Sequence, residues 1–205
     1  ALMNSPNNHV LSGETQKIEL LIDKVRALGL PHAAVNTSHA FHSAAMDPIV
    51  GPFKSIVSSV TLNPPRIPII SGVTGVYLKD SEATTPDYWD NHLRATVRIS
   101  EATAFAIQEV NPIFLETGPG NVLSTYIKQQ DKTRTCVESI TSNQPETKQF
   151  LQSLGKLWQL GLNPSRSALY DKSHPKLADL PNYAFQRKKL WLEPIVTDTP
   201  KNTLN

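Results

Sequence analysis

Ile18, Leu21, Ile22, Val25 and Leu28 recur at the three- and four-residue spacing of an amphipathic helix. Ser12 stands ahead of them as the expected N-cap, Glu14 falls in the first turn, and Gly29 suits the position past the helix end. Before this helix, short strands at 1–3 and 9–11 flank the turn formers Asn4-Ser5-Pro6-Asn7-Asn8 and predict a hairpin. A strand at 32–37 follows the helix. Met46, Ile49, Val50, Phe53, Ile56, Val57 and Val60 carry a second amphipathic helix. Pro48 fits its first turn, Pro52 predicts a kink or a late start, and Asn63-Pro64-Pro65 ends it.

The pattern then predicts strands at 67–71 and 76–78 around a turn at 72–75, a polar loop at 79–86, and helices at 88–93 and 99–110. A largely apolar strand at 113–116 suits a buried parallel sheet. It leads through the turn Gly118-Pro119-Gly120 into a helix at 121–129, a strand at 134–139 and a helix at 146–160. Strands separated by helices give an α/β class. Beyond Gly161 the regular pattern gives way to an extended, aromatic-rich stretch around Tyr183, Phe185 and Trp191, whose rings need something to pack on. The last dozen residues are polar and read as frayed.

Composition narrows the class without naming a function. The chain has 205 residues, 39% hydrophobic and 19% charged, enough for a sizeable core. Its net charge is +2 with scattered basic residues, which argues against a nucleic-acid partner. No apolar run approaches the roughly 20 residues needed to cross a bilayer, and no signal peptide is evident. Cys136 is the only cysteine, so no intrachain disulfide forms, and a reducing, cytoplasmic setting is expected. Residues 1–3 read as the end of a strand begun upstream, so a piece of a longer protein is expected.

The stretch Ser38-His39-Ala40-Phe41-His42-Ser43 lies between a predicted strand and a predicted helix, where α/β enzymes often place an acid/base group. His42 could serve there, since a histidine titrates near working pH. On spacing alone, a hydrogen-bonded or surface histidine is the commoner reading. His39 and His42 also make an H-x-x-H pair, but zinc takes three or four ligands and no Cys, Asp or Glu cluster stands beside them. Gly118-Pro119-Gly120 at a helix start could offer N–H groups to an anion, although such turns more often serve close packing. Trp89 reads as core. No G-x-S-x-G occurs, and the lone cysteine falls on a predicted buried strand, so His42 has no nucleophile to activate within this chain.

Over nearly its whole length the sequence resembles the acyltransferase domains of type I polyketide synthases. The resemblance rests on Asn4-Ser5-Pro6, His9-Val10-Leu11-Ser12-Gly13, the 38–43 stretch with Met46-Asp47-Pro48, Tyr88-Trp89 with His92-Leu93-Arg94, and Glu116 with Gly118-Pro119-Gly120, in that order. Leu180-Pro181-Asn182-Tyr183-Ala184-Phe185-Gln186-Arg187 with Trp191 is similar to the linker that follows such a domain and folds back toward a ketosynthase.

The resemblance implies the C-terminal part of an α/β-hydrolase-like acyltransferase body, residues 38–145. It further implies the remaining part of a ferredoxin-like small subdomain, residues 1–37, and a post-acyltransferase linker and tail, residues 146–205. His42 would be the family's catalytic histidine, oriented by a main-chain carbonyl at His92 or an immediate neighbour. His39, Phe41 and Asn4 would contact substrate, and His39-Ala40-Phe41-His42 matches the form associated with malonyl rather than methylmalonyl units. The family's serine, in a G-H-S-x-G elbow, the arginine that pairs with the extender carboxylate and half of the small subdomain are missing from this chain.

The implied activity is loading of malonyl from CoA onto a carrier protein's phosphopantetheine, with CoA and phosphopantetheine as substrates and no cofactor bound in this chain. The implied partners are the N-terminal half of the domain, an acyl carrier protein, an adjacent ketosynthase and malonyl-CoA. A docking fragment without chemistry, or a hydrolase in which water replaces the carrier thiol, are the alternatives.

Overall fold

The computed structural model of the chain describes residues 1–141, 144–165 and 179–192. They fall into two units, Ala1–Pro164 and Ser165–Asn205. The first opens with the expected hairpin, β1 (Leu2–Ser5) antiparallel to β2 (Asn8–Val10), with Leu2 opposite Val10 and Met3 opposite His9. The outer edge of β1 is also satisfied: Met3 N–H donates to the Val97 carbonyl, and Val97 N–H to the Ala1 carbonyl, both at 2.9 Å. α1 (Thr15–Ala27) follows. Ser12 does not cap it; Glu14 takes the N-cap position without a side-chain bond, and the Ser12 hydroxyl is used elsewhere. Gly29 adopts φ +67°, the left-handed conformation that ends a helix most cheaply.

The expected strand at 32–37 is not formed, because nothing among the described residues offers its backbone a ladder partner. None of the described elements packs on α1 either, and β1 is tied to Val97 and packs on later helices. A separate subdomain bounded at residue 37 therefore does not emerge from this chain alone.

A 3-10 turn at Ala44–Met46 runs into α2 (Asp47–Ser58). α2 does not start late: it passes through Pro52, which costs one bond of the helical ladder, while Pro48 occupies the first turn, where no donor is needed. The 67–78 region forms a tight hairpin with a single bridge between Ile70 and Tyr77. The polar loop after it contains a short helix, α3 (Asp80–Ala83), which is followed by α4 (Pro86–Arg94) and α5 (Ile99–Ile107).

β3 (Ile113–Pro119), α6 (Val122–Gln130) and β4 (Thr135–Ile140) make a parallel strand–helix–strand unit, in register from Ile113 opposite Thr135 to Glu116 opposite Glu138. β3 runs three residues past its expected end, with a register shift before Pro119, and Gly120 follows at φ +105°. α7 (Glu146–Gln159) lies on β4: Ser153 Oγ and Gln149 Nε2 both donate to the Glu138 carbonyl, at 2.6 and 2.9 Å. α7 thus belongs to the body, which extends to Pro164 rather than stopping at residue 145. Met46, Leu78, Ala83, Ile127, Val137 and Leu157 are its buried apolar residues.

In the second unit, residues 179–192 form no helix or strand, with the Tyr183 and Phe185 rings edge-on at 4.8 Å and Leu180 and Trp191 exposed. The remaining linker positions and the polar tail fall outside the described residues. Among the described residues no helix is long and apolar enough to cross a membrane.

Candidate active site

His42 sits on the turn into the 3-10 segment at φ 55°, a left-handed conformation uncommon for any residue but glycine. Hydrogen bonds hold the turn from both sides. Ser12 Oγ, 29 residues upstream, donates to the Phe41 carbonyl at 2.7 Å. Ser43 Oγ donates to the Ala40 carbonyl at 2.6 Å and accepts from Ala45 N–H at 3.2 Å. A non-glycine residue in this region stores strain that its surroundings must over-determine. Here one bond arrives from 29 residues upstream and two are local to the turn.

The half-buried His42 ring places Nδ1 3.0 Å from the Ala95 carbonyl oxygen. A carbonyl can only accept, so Nδ1 carries the proton, and in the neutral imidazole the Nε2 lone pair is left to accept one. The orienting carbonyl belongs to Ala95, three residues beyond the expected His92. The reason is geometric. His92 lies within α4, whose carbonyls point along the helix axis, whereas Ala95 is its C-cap with ψ 157°, which turns its carbonyl out of the helix.

The His92 side chain, not its backbone, is what reaches His42. The two rings meet edge-on, centroids 6.4 Å apart with planes at 80°. On α4, Tyr88 and Trp89 stand four and three residues before His92, the spacings that bring helical side chains together, and each ring lies 6.2 Å from it. Burial first, and the neighbouring His42 second, lower the pKa of His92. Trp89 is half-buried rather than core, with Nε1 donating to the Ala83 carbonyl at 2.9 Å.

The cluster is anchored by Ser71, which is 1% exposed. Its Oγ accepts from Val73 N–H at 3.0 Å and Thr74 N–H at 3.2 Å, filling both lone pairs. Its own proton is then free for the Tyr88 oxygen, 2.7 Å away. The sequence pattern marks Ser71 only as the end of a strand, since nothing local identifies a serine whose partner lies 17 residues on.

The other expected contacts divide. His39 and Phe41 stand together beside His42, ring centroids 5.9 Å apart, and Phe41 is 44% exposed on the open side of the turn. Asn4 is 6% exposed, and its amide donates across the first hairpin to Asn8 Oδ1 at 3.0 Å. That bond lies within the hairpin rather than at the His42 cluster. The glycine turn before α6 is not open to an outside anion. The Glu116 carboxylate already accepts from Leu123 N–H at 3.1 Å and Ser124 N–H at 2.9 Å. Partial burial alone would raise the Glu116 pKa, but the bonds from Ser124, Leu123 and Val122 outweigh it and lower it. Burial raises the Cys136 thiol, with Sγ beside the Ser124 carbonyl, so this cysteine is a poor nucleophile.

Residues 1–164 match the family model described as the acyl transferase domain. Polyketide synthase GfsB of Streptomyces halstedii is 35% identical over 196 residues, 93% of this chain and 4% of that protein. Mycoketide-CoA synthase of Mycobacterium tuberculosis is 30% identical over 194 residues, 94% of this chain and 5% of that protein. The chain thus spans a small fraction of the curated relatives' length. Among solved structures, the acyltransferase domain from the second module of the salinomycin polyketide synthase superposes with a TM-score of 0.75 at 29% identity, covering 84% of this chain and 41% of that one.

Proposed function

The chain belongs to the acyl transferase domain family of type I polyketide synthases, and from this premise we propose that it supplies the histidine half of a malonyl-CoA:acyl-carrier-protein acyltransferase centre. The observation that carries the reading is the His42 Nδ1 contact to the Ala95 carbonyl, which leaves Nε2 as a base.

The nucleophile comes from a serine outside this chain, which contains no G-x-S-x-G. Two features support a further part of the domain lying outside this chain. The described chain covers 41% of the solved salinomycin domain, and β3 pairs only with β4 among the described residues, whereas parallel strands normally sit inside larger covered sheets. On this reading residues 1–205 alone are inactive.

In the first half-reaction Nε2 takes the serine proton as the serine oxygen attacks the thioester carbon of malonyl-CoA. The tetrahedral intermediate collapses, the carbon–sulfur bond breaks, and the CoA thiolate leaves with the proton from His42. In the second, Nε2 takes the proton of the carrier's phosphopantetheine thiol, which attacks the acyl-serine, and the serine leaves reprotonated. The Ala95 carbonyl stabilises the imidazolium formed in each half, since it accepts from Nδ1–H throughout.

Phe41, beside the base and open to the substrate side, occupies space a methyl branch would need, which favours malonyl. The exposed Leu180, Tyr183, Phe185 and Trp191 suit docking on a ketosynthase.

The test is to incubate the full-length polypeptide with labelled malonyl-CoA, with and without carrier protein. Label moving to the carrier supports transfer. Carrier-independent release of free malonate would identify a hydrolase instead.

A further inference from the structure

α2 and α4 are joined by two ion pairs, Asp47 with Arg94 and Lys54 with Asp87. Residues 47 and 54 are seven apart on α2, and residues 87 and 94 are seven apart on α4. Seven residues is just under two helical turns, so each helix presents its two charges on one face, about 10.5 Å apart along the axis. The first charge of α2 meets the last of α4 and the reverse, so the helices run antiparallel with one pair at each end. Both pairs join an aspartate to a basic side chain, and they differ in place.

Only one of them lies at the His42 end. Asp47 follows His42 by five residues, across the 3-10 turn and with nothing else between. Arg94 directly precedes Ala95, whose carbonyl receives the Nδ1 proton. The Asp47–Arg94 pair therefore ties the segment that carries the base to the segment that orients it. The Lys54–Asp87 pair fastens the same helices two turns away. The four side chains are 39–68% exposed, and exposed pairs of this kind contribute little to stability. Geometry at the site is the more demanding role, because displacement of a catalytic group by about 1 Å can cost on the order of a hundredfold in rate.

We propose that Asp47 and Arg94 are positioning residues for acyl transfer: their ion pair sets the distance between the His42 ring and the Ala95 carbonyl, while the Lys54–Asp87 pair does not. This rests on the reading of His42 as the base.

The test is a panel in the full-length polypeptide, scored for transfer of labelled malonyl to carrier protein. Asp47→Asn removes the charge at constant size, and Arg94→Gln removes the charge while keeping a shorter polar side chain. Each is expected to lower kcat by about tenfold, the equivalent of roughly 1.4 kcal/mol in the barrier, with KM within about twofold. The double variant is expected to be no worse than either single, because the second substitution removes a partner already idle. Lys54→Gln and Asp87→Asn are expected to leave kcat and KM within about twofold.

His42→Ala separates the two readings. If it abolishes transfer while the proximal and distal pairs behave alike, the positioning role is overturned and the base stands. If it leaves transfer at the wild-type rate, both fall. A proximal effect confined to KM, or additive losses in the double variant, would also overturn the proposal.

Discussion

Ser71→Ala is the sharpest perturbation of the structure behind the site. The side chain is buried and its oxygen serves three partners: the N–H groups of Val73 and Thr74, and the hydroxyl of Tyr88. Alanine offers no acceptor in its place. A hydrogen bond contributes about 1 kcal/mol net, and a donor left buried without one costs about 1–3 kcal/mol. Val73 and Thr74 are partly reachable by water, so their two bonds together contribute about 2–3 kcal/mol, and the Tyr88 bond about 1 more.

Ser71→Ala should therefore destabilise the complete acyltransferase domain by about 3–4 kcal/mol, and Tyr88→Phe by about 1 kcal/mol. Because they share one bond, the double variant should cost less than the sum by about 1 kcal/mol. Urea unfolding of the four proteins measures both quantities. A loss below about 1 kcal/mol for Ser71→Ala, or strict additivity in the cycle, would show that Ser71 is not the anchor of this region.

Three further outcomes are expected. His92 has a lowered pKa, so below about 6.5 the unfolded chain binds its proton more readily than the folded one, and stability falls as pH drops through the folded value. His92→Phe keeps the ring and removes the titration, so the domain's melting temperature should decline less between pH 7.5 and 5.5; an unchanged decline would contradict this. Glu116→Ala exposes two N–H groups of α6 and should cost about 1–2 kcal/mol at pH 7. Because the Glu116 pKa is lowered from 4.5, the deficit should vanish as pH falls below that range, and unfolding curves that differ equally at pH 7 and 3 would refute it. Phe41→Ser should shift competition between malonyl- and methylmalonyl-CoA toward the branched substrate by roughly tenfold or more, within the range one methyl group commands; an unchanged ratio would remove Phe41 from the selectivity account.

Several of these residues are legible in the sequence and others are not, for identifiable reasons. The α/β alternation and helices α5, α6 and α7 follow from hydrophobic spacing, because each has an apolar side that this chain itself covers. The strand at 32–37 fails for the opposite reason: β-structure needs a partner strand, and among the described residues none is present. His42, His39 and Phe41 are marked by their motif. Ala95 could not be, since a main-chain carbonyl leaves no trace in residue identity. Ser12, expected as a helix cap, instead holds the Phe41 carbonyl, a contact spanning 29 positions that local pattern does not encode. Asp47 and Arg94 sit inside recognised motifs, but their pairing becomes visible only when α2 and α4 lie side by side.

The central claim is that His42 is the base for a serine supplied from outside these residues. The most direct measurement is the rate at which the full-length polypeptide becomes labelled by malonyl-CoA, compared between the natural protein and His42→Ala. Loss of a general base predicts a fall of about a hundredfold to ten-thousandfold in labelling, with the label on a serine outside residues 1–205. Labelling of His42→Ala at the natural rate, or label recovered on a residue of this chain, would contradict the account.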